Sequence, residues 1–190
     1  MEKPKLVIVE GCDNSGKSTF IKRLEEIGYI KLDIPKKTKM GSILKVDTEE
    51  SLTPFVEMFK YIKDGNYVLD RSVMSNAVYE KILHNKNSKW FNMHYLLRMG
   101  ELTNLSVVVL DRNPIMINYS DDLIDLDKIE FNSIIEEYKS LYQTYKDHAE
   151  FHQSSIKFII DKILNHDSLN QLMYVDEQAI SRIIDNLKED

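Results

Sequence analysis

The chain has 190 residues, of which 43% are hydrophobic and 29% are charged, and its formal net charge is −6. The length fits one compact domain, and the hydrophobic fraction is that of a globular protein, which excludes a wholly disordered chain. The acidic balance argues against a broad basic surface for nucleic acid, and no apolar run approaches the about 18 residues that span a bilayer. We therefore expect a single domain over residues 1–190, with neither a membrane nor nucleic acid as its partner.

The cysteine content and the N-terminal sequence indicate the compartment. Cys12 is the single cysteine of the chain, so an internal disulfide cannot form, which fits a reducing environment. The first residues, MEKPKLVIVEG, lack the long apolar segment and small-residue cleavage site of a secretory leader. These features predict a cytoplasmic protein.

Short apolar runs alternate with amphipathic segments along the chain. Runs that are apolar throughout are typical of strands buried on both faces, and their alternation with helices is typical of a parallel sheet. We therefore predict an α/β protein with three layers, in which a five-stranded parallel sheet carries helices on both faces. The predicted strands are 6–9, 29–32, 67–69, 106–110 and 172–175, and the helices include 17–27, 126–151 and 177–187.

A glycine-rich motif follows the first predicted strand and opens the first helix. Residues Gly11 to Ser18 fit the pattern G-x-x-x-x-G-K-[ST]. In this pattern the backbone N–H groups surround phosphate oxygens, the lysine reaches the β- and γ-phosphates, and the hydroxyl ligates Mg²⁺. The motif predicts binding of ATP with Mg²⁺ by Gly11, Asn14, Ser15, Gly16, Lys17, Ser18 and Thr19.

A second polar group begins at the end of the third predicted strand. Asp70 and Arg71 lead into a helix on which Ser75, Asn76 and Tyr79 share one face by their spacing. Ligands of parallel α/β sheets bind at the carboxyl ends of the strands, and the planar fork of an arginine suits a phosphate. The alternative is an Asp-Arg ion pair beside a solvated helix face.

The phosphate-binding motif is shared by GTPases, ATPases and small-molecule kinases, so other features must separate them. A GTPase needs an Asn-Lys-x-Asp string after a strand, and the sequence has none. A chain of 190 residues is very small for a helicase or motor domain. The polar helix after Arg71 suits the base and sugar of an acceptor, which favours a small-molecule kinase.

At this point the sequence resembles the thymidylate kinase family over roughly residues 1–145. The segments 35–41, 107–111 and 127–141 resemble its Pro-Gly-Gly-Thr loop, its fourth strand and the helix after its lid. The motif residues that carry the resemblance are Glu10-Gly11-x-Asp13-x-x-Gly16-Lys17-Ser18, Asp70-Arg71, Ser75-Asn76-Ala77 and Tyr79.

The resemblance implies transfer of the γ-phosphate of ATP to a deoxynucleoside monophosphate, with Mg²⁺ and in a homodimer. Such catalysis is mainly positioning and charge neutralisation, because a phosphate acceptor needs little deprotonation. By position, Lys17 is expected at the β/γ-phosphates, Ser18 and Asp70 at the metal, and Arg71 at the acceptor phosphate. Asp13 is expected at the 3′-hydroxyl, Asn76 at the base, and Tyr79 where it excludes a ribose 2′-hydroxyl.

Two departures from the family concern arginines. The lid, at about residues 113–127, is short and has no arginine, so charge stabilisation must come from Arg112, from Arg71 or from the lysines of segment 36–39. No arginine occurs between Arg23 and Arg71, so the family's base-reading arginine is missing. Phe55 or Phe59 is then the candidate to stack on the base, although both also fit the core.

A third departure keeps a second kinase activity open. The family's Asp-Arg-Tyr is Asp70-Arg71-Ser72 here, whereas the related deoxynucleoside kinases carry Glu-Arg-Ser. In those enzymes the glutamate that matches Glu10 takes a proton from the 5′-hydroxyl, because a hydroxyl acceptor needs a base. A deoxynucleoside kinase, a kinase acting on a nucleotide within DNA and a non-catalytic ATP-binding protein are the alternatives.

The sequence does not assign a role to two further segments. The apolar stretch from Trp90 to Leu97 is a candidate for the dimer helix, but periodicity does not separate that role from core packing. Residues 146–170 have no counterpart that the resemblance places.

Overall fold

The computed structural model describes residues 3–32, 49–120, 125–166 and 173–188. Its centre is a parallel sheet of five strands in the order β2-β3-β1-β4-β7. Two short antiparallel hairpins, β5-β6 and β8-β9, lie outside this sheet. The strands are β1 Lys5–Glu10, β2 Ile30–Leu32, β3 Asn66–Asp70, β4 Asn104–Leu110, β5 Tyr119–Ser120, β6 Asp125–Leu126, β7 Lys157–Asp161, β8 Leu164–His166 and β9 Met173–Val175.

Helices cover both faces of the sheet, which confirms the predicted three-layer α/β fold. Successive residues of a strand point to opposite faces, so Leu6 and Ile8 pack in one core and Val7 and Val9 in the other. The first core contains residues of α2, α3, α4 and α5, and the second contains residues of α1 and α6. The helices are α1 Lys17–Glu26, α2 Glu49–Glu57 with a 3-10 turn at Met58–Tyr61, α3 Val73–His84, α4 Lys89–Leu102, α5 Lys128–Phe151 and α6 Glu177–Lys188.

The fifth strand of the sheet is not the one that the sequence predicted. Residues 172–175 were expected there, but Met173–Val175 pairs antiparallel with Leu164–His166 in a hairpin. The place in the sheet is taken by Lys157–Asp161, which runs parallel to β4. This strand has a single neighbour in the sheet and is half-buried along its length. Its apolar run, Phe158-Ile159-Ile160, is as long as that of the predicted strand 67–69, but it was not among the predicted strands. Within segment 146–170, the described residues 146–166 therefore supply the end of α5, the edge of the sheet and β8.

Local signals explain where the predicted helices begin and end. Gly28, with a φ of +97°, follows α1 and closes it as expected. The long helix begins at Lys128 because Asp127 caps it, accepting hydrogen bonds from the backbone N–H groups of Ile129 and Glu130. The Glu130 side chain accepts a hydrogen bond from the backbone N–H of Asp127, which completes a capping box.

The candidate dimer stretch lies in α4 and divides between core and surface. Tyr95 and Leu96 are buried in the core, whereas Trp90 and Phe91 are exposed. The homodimer stays a prediction. Among the described residues no helix is long and apolar enough to cross a membrane. The Pro-Gly-Gly-Thr-like loop and the lysines of segment 36–39 lie outside the described residues.

Candidate active site

The phosphate loop joins β1 to α1 through backbone conformations that favour glycine. Gly11 has a φ of +136° and Gly16 a φ of +93°. A Cβ atom on Gly11 would lie 2.5 Å from the carbonyl oxygen of Leu110, and one on Gly16 would lie 2.9 Å from Cδ1 of Ile163. At position 11 both φ and the approach of the Leu110 backbone require glycine, whereas at position 16 φ is the main constraint, because the nearest atom ends a flexible side chain.

The loop also holds polar groups that suit an anion. The Ser15 hydroxyl is buried without a hydrogen-bond partner. The ammonium group of Lys17 is buried and donates to the carbonyl oxygens of Gly11, at 3.0 Å, and Cys12, at 2.6 Å. Burial, and next the positive charge of Arg71, lower the pKa of Lys17 to about 8. The present partners of the ammonium group are neutral, and a bound polyphosphate would give it a negatively charged one. These residues therefore fit ATP.

The predicted metal residues lie at the carboxyl ends of two neighbouring strands. Asp70 ends β3 and is the register partner of Val9 in β1, while Ser18 is exposed in the first turn of α1 beside Thr19. Hydroxyl and carboxylate oxygens are ligands that Mg²⁺ accepts together with substrate phosphates. Ser18 and Asp70 therefore fit the proposed metal, and their role stays a prediction.

Arg71 reaches across from β3 to the phosphate loop. Its guanidinium group forms an ion pair with Asp13 and donates to the hydroxyl of Tyr79 at 3.0 Å. The Tyr79 hydroxyl in turn donates to the other carboxylate oxygen of Asp13 at 3.0 Å. Three of the predicted acceptor-site residues thus form one closed group. The predicted helix face is only partly exposed, since Ser75 is buried and Asn76 and Tyr79 are half-buried.

Glu10 ends β1 and is fully buried, with 0% of its surface exposed. One carboxylate oxygen accepts from the backbone N–H of Ser72 at 2.7 Å and from its hydroxyl at 2.6 Å. The other accepts from the hydroxyl of Ser75 at 2.5 Å. Burial raises the pKa of Glu10, and the hydrogen bonds from Ser72 and Ser75 oppose that shift.

Tyr138, on the buried face of α5, also belongs to this site and was not among the residues predicted there. Its hydroxyl lies 2.8 Å from that of Ser75 and accepts from Arg71 at 3.4 Å. A buried tyrosine needs a partner for its hydroxyl, which is the only signal in the sequence that could have pointed here.

Arg112 follows β4 and packs against the phosphate loop with only 7% of its surface exposed. Its guanidinium group donates to the carbonyl oxygens of Asp13, at 3.1 Å, and Asn14, at 3.3 Å. It also lies 5.3 Å from the centre of the Phe131 ring. Arg112 and Arg71, two of the residues proposed to replace the missing lid arginines, are thus both in contact with the phosphate loop.

The two residues predicted to contact the base are less well defined by geometry. Asn76 is half-buried on α3, one residue after Ser75. Phe55 is half-buried on α2 and packs edge-on against the core residue Phe59, with ring centres 5.8 Å apart. The roles of Asn76 and Phe55 stay predictions.

Known structures share this architecture. A deoxyadenosine kinase from M. mycoides with bound dATP aligns over 97% of this chain and 100% of its own, with a TM-score of 0.54 and 12% identity. A thymidylate kinase from Candida albicans aligns over 98% of this chain and 92% of its own, with a TM-score of 0.52 and 14% identity. No protein-family model and no curated protein sequence matches the chain. The chain therefore has the P-loop fold of the thymidylate and deoxynucleoside kinases.

Proposed function

We propose that this protein is a Mg²⁺- and ATP-dependent kinase that transfers the γ-phosphate of ATP to a deoxynucleoside monophosphate, giving the diphosphate. The observation that carries the proposal is the position of Arg71, whose guanidinium group meets Asp13 of the phosphate loop. An arginine fork beside the donor site suits an acceptor that already bears a phosphate.

On the donor side, the loop from Gly11 to Ser18 binds the triphosphate. Its backbone N–H groups and the N-terminus of α1 face the phosphate oxygens, and Lys17 moves from the loop carbonyl oxygens to the β/γ-phosphates. Ser18 and Asp70 would hold Mg²⁺, which would neutralise part of the phosphate charge. Arg112 supports the loop from the side of the lid, where arginines are missing.

On the acceptor side, the group formed by Asp13, Arg71 and Tyr79 opens to admit the substrate. The acceptor phosphate replaces the Asp13 carboxylate as partner of Arg71, and the freed Asp13 accepts from the sugar 3′-hydroxyl. The Tyr79 ring occupies the space beside the 2′-carbon, and Asn76, with Phe55, contacts the base. Phosphoryl transfer then depends on alignment and charge neutralisation, because the acceptor oxygen is already ionised.

A deoxynucleoside kinase is the second candidate. Ser72, in the Glu-Arg-Ser pattern of those enzymes, and the structural likeness to a deoxyadenosine kinase favour it. That activity needs a base at the 5′-hydroxyl, which would be Glu10. The three hydrogen bonds that Glu10 already accepts leave it little capacity for this role, which supports the monophosphate as acceptor.

The test is release of ADP from Mg·ATP with a panel of deoxynucleoside monophosphates, ribonucleoside monophosphates and free deoxynucleosides. Turnover of one or more deoxynucleoside monophosphates supports the proposal. Turnover of nucleosides alone contradicts it and assigns Glu10 as general base. ATP binding without turnover of any acceptor would favour a non-catalytic ATP-binding protein or an unusual acceptor such as DNA. We expect the active protein to be a cytoplasmic homodimer, which sedimentation of the full chain would test.

A further inference from the structure

The backbone at Arg71 is in the left-handed region, with a φ of +68°. This conformation is unfavourable for arginine, whereas glycine adopts it without strain. Two contacts from β1 hold it in place. The N–H of Arg71 donates to the carbonyl oxygen of Val9 at 2.9 Å, and the N–H of Ser72 donates to the Glu10 carboxylate at 2.7 Å. Glu10 thus fixes the peptide that follows Arg71 and, with it, the direction in which the arginine leaves the chain.

A second path runs from the side chain of Arg71 to the same carboxylate. An ionised carboxylate only accepts hydrogen bonds, so the single proton of the Ser75 hydroxyl goes to Glu10, at 2.5 Å. Ser75 must then accept from Tyr138, at 2.8 Å, and the Tyr138 hydroxyl accepts from Arg71, at 3.4 Å. With Glu10 ionised, each hydrogen bond in this path therefore runs in one direction, from Arg71 through Tyr138 and Ser75 to Glu10.

We propose that Glu10 is a positioning residue for Arg71, acting on its backbone through Ser72 and on its guanidinium group through Ser75 and Tyr138. The proposal rests on the proposed function, because it takes Arg71 as the residue that receives the acceptor phosphate. Glu10 does not contact the acceptor: it is fully buried, and both of its oxygens are engaged by serines.

The kinetic test uses Tyr138→Phe with Tyr145→Phe as its matched control. Both side chains are buried on α5, and each variant loses one hydroxyl. The Tyr145 hydroxyl donates to the backbone carbonyl of Lys89 at 2.8 Å and is not a member of the path from Arg71 to Glu10. We expect Tyr138→Phe to raise the KM for the deoxynucleoside monophosphate about tenfold, the usual effect of losing one charge-assisted contact, and to leave the KM for ATP unchanged. Tyr145→Phe should change neither.

Combination with Arg71→Ala separates positioning through Arg71 from a direct role of Glu10. In the wild-type background Glu10→Gln should raise the acceptor KM, and in the Arg71→Ala background it should add nothing. An undiminished effect of Glu10→Gln without Arg71 would overturn the proposal, as would an equal rise in the KM for ATP. Ser75→Ala breaks the side-chain path alone and replaces Glu10→Gln if that variant does not fold.

A measurement without substrate separates this proposal from the proposed function. Hydrogen bonds slow the rotation of a guanidinium group, so NMR signals of the Arg71 N–H groups, identified by their loss in Arg71→Lys, report its restraint. We expect these signals to broaden or average in Tyr138→Phe and in Ser75→Ala, but not in Tyr145→Phe. Unchanged signals in both variants would overturn the proposal, whereas a wild type that turns over no monophosphate contradicts only the proposed function.

Discussion

Lys17 donates a hydrogen bond of 2.6 Å to the carbonyl oxygen of Cys12, so the lysine of the phosphate loop is bonded to the loop that carries it. A second bond, of 3.0 Å, runs to the carbonyl oxygen of Gly11. These neutral acceptors do not balance the charge of a buried ammonium group, and burial lowers its pKa to about 8. The loop is thereby prepared to exchange two carbonyl contacts for phosphate.

The first prediction concerns the role of this ammonium group in turnover. Lys17→Met removes the charge that meets the β/γ-phosphates, and we expect the rate of ADP release with a deoxynucleoside monophosphate to fall at least about 100-fold. Lys22→Met, which alters an exposed lysine of the same helix, should leave the rate unchanged. Equal rates for the wild type and Lys17→Met would show that the loop does not hold the transferred phosphate.

The second prediction is proton uptake on ATP binding. A pKa lowered from 10.5 to about 8 means that about half of the Lys17 groups lack a proton at pH 8. Bound phosphate favours the charged form and raises that pKa, so binding at pH 8 should take up about half a proton per ATP. Calorimetry in buffers of different ionisation enthalpy measures this number, and Lys17→Met should lose it. Proton release would contradict the prediction.

The lowered pKa of Lys17 also affects the stability of the protein without ligand. Between about pH 8 and pH 10.5 the unfolded chain holds the Lys17 proton and the folded chain does not. The free energy of unfolding contributed by this group therefore rises with pH across that window.

The third prediction separates two reasons why a position requires glycine: a positive φ and the close approach of a neighbouring atom. Gly28 has a φ of +97°, and beyond its chain neighbours no atom lies within 4 Å of the position that a Cβ would occupy. Gly28→Ala therefore meets only backbone strain, at about 1–2 kcal/mol. Gly11→Ala adds a clash 2.5 Å from the carbonyl oxygen of Leu110, which side-chain rotation cannot relieve. We expect it to cost at least about 3 kcal/mol by urea unfolding and to weaken ATP binding. Equal losses for the two variants would argue against the tight loop.

The fourth prediction tests the shape of the Arg71 side chain. Arg71→Lys keeps the charge but cannot contact Asp13, Tyr79 and Tyr138 at once as the guanidinium group does. We expect the KM for the acceptor monophosphate to rise about 10- to 100-fold with little change in the KM for ATP. Arg182→Lys, at an exposed position on α6, is the control. A parallel rise of both KM values would place Arg71 at ATP instead.

The fifth prediction concerns sugar selection by Tyr79. Tyr79→Phe removes the hydrogen bonds to Asp13 and Arg71 but keeps the ring, so turnover should fall about tenfold while the preference for deoxyribose persists. Tyr79→Ala removes the ring as well and should reduce that preference. The ratio of kcat/KM for a deoxynucleoside and a ribonucleoside monophosphate is the measurement. A ratio that is the same in all three proteins would remove Tyr79 from sugar selection.

Several parts of this protein could be predicted because their signals are local in the chain. The phosphate loop is a continuous motif whose glycines and lysine need only their own neighbours to be recognised. The inner strands β1, β3 and β4 carry apolar runs that predict them, and the end of α1 follows from Gly28. Arg71 was predicted as a phosphate ligand because it follows a strand, and the carboxyl ends of parallel strands meet at one edge.

The fold class, the glycine-rich loop and the proximity of Arg71 to that loop follow from the sequence, since each depends on contiguous residues and on one rule of parallel sheets. Only the tertiary structure showed which of two apolar runs, 158–160 or 172–175, joins the sheet beside β4, because both runs fit a strand equally well locally. It alone also brought Tyr138 to Ser75 and Arg71, and turned Glu10 toward the serines instead of solvent. Hydrogen bonds between residues more than sixty positions apart form only when packing places their elements together, and no local pattern records them.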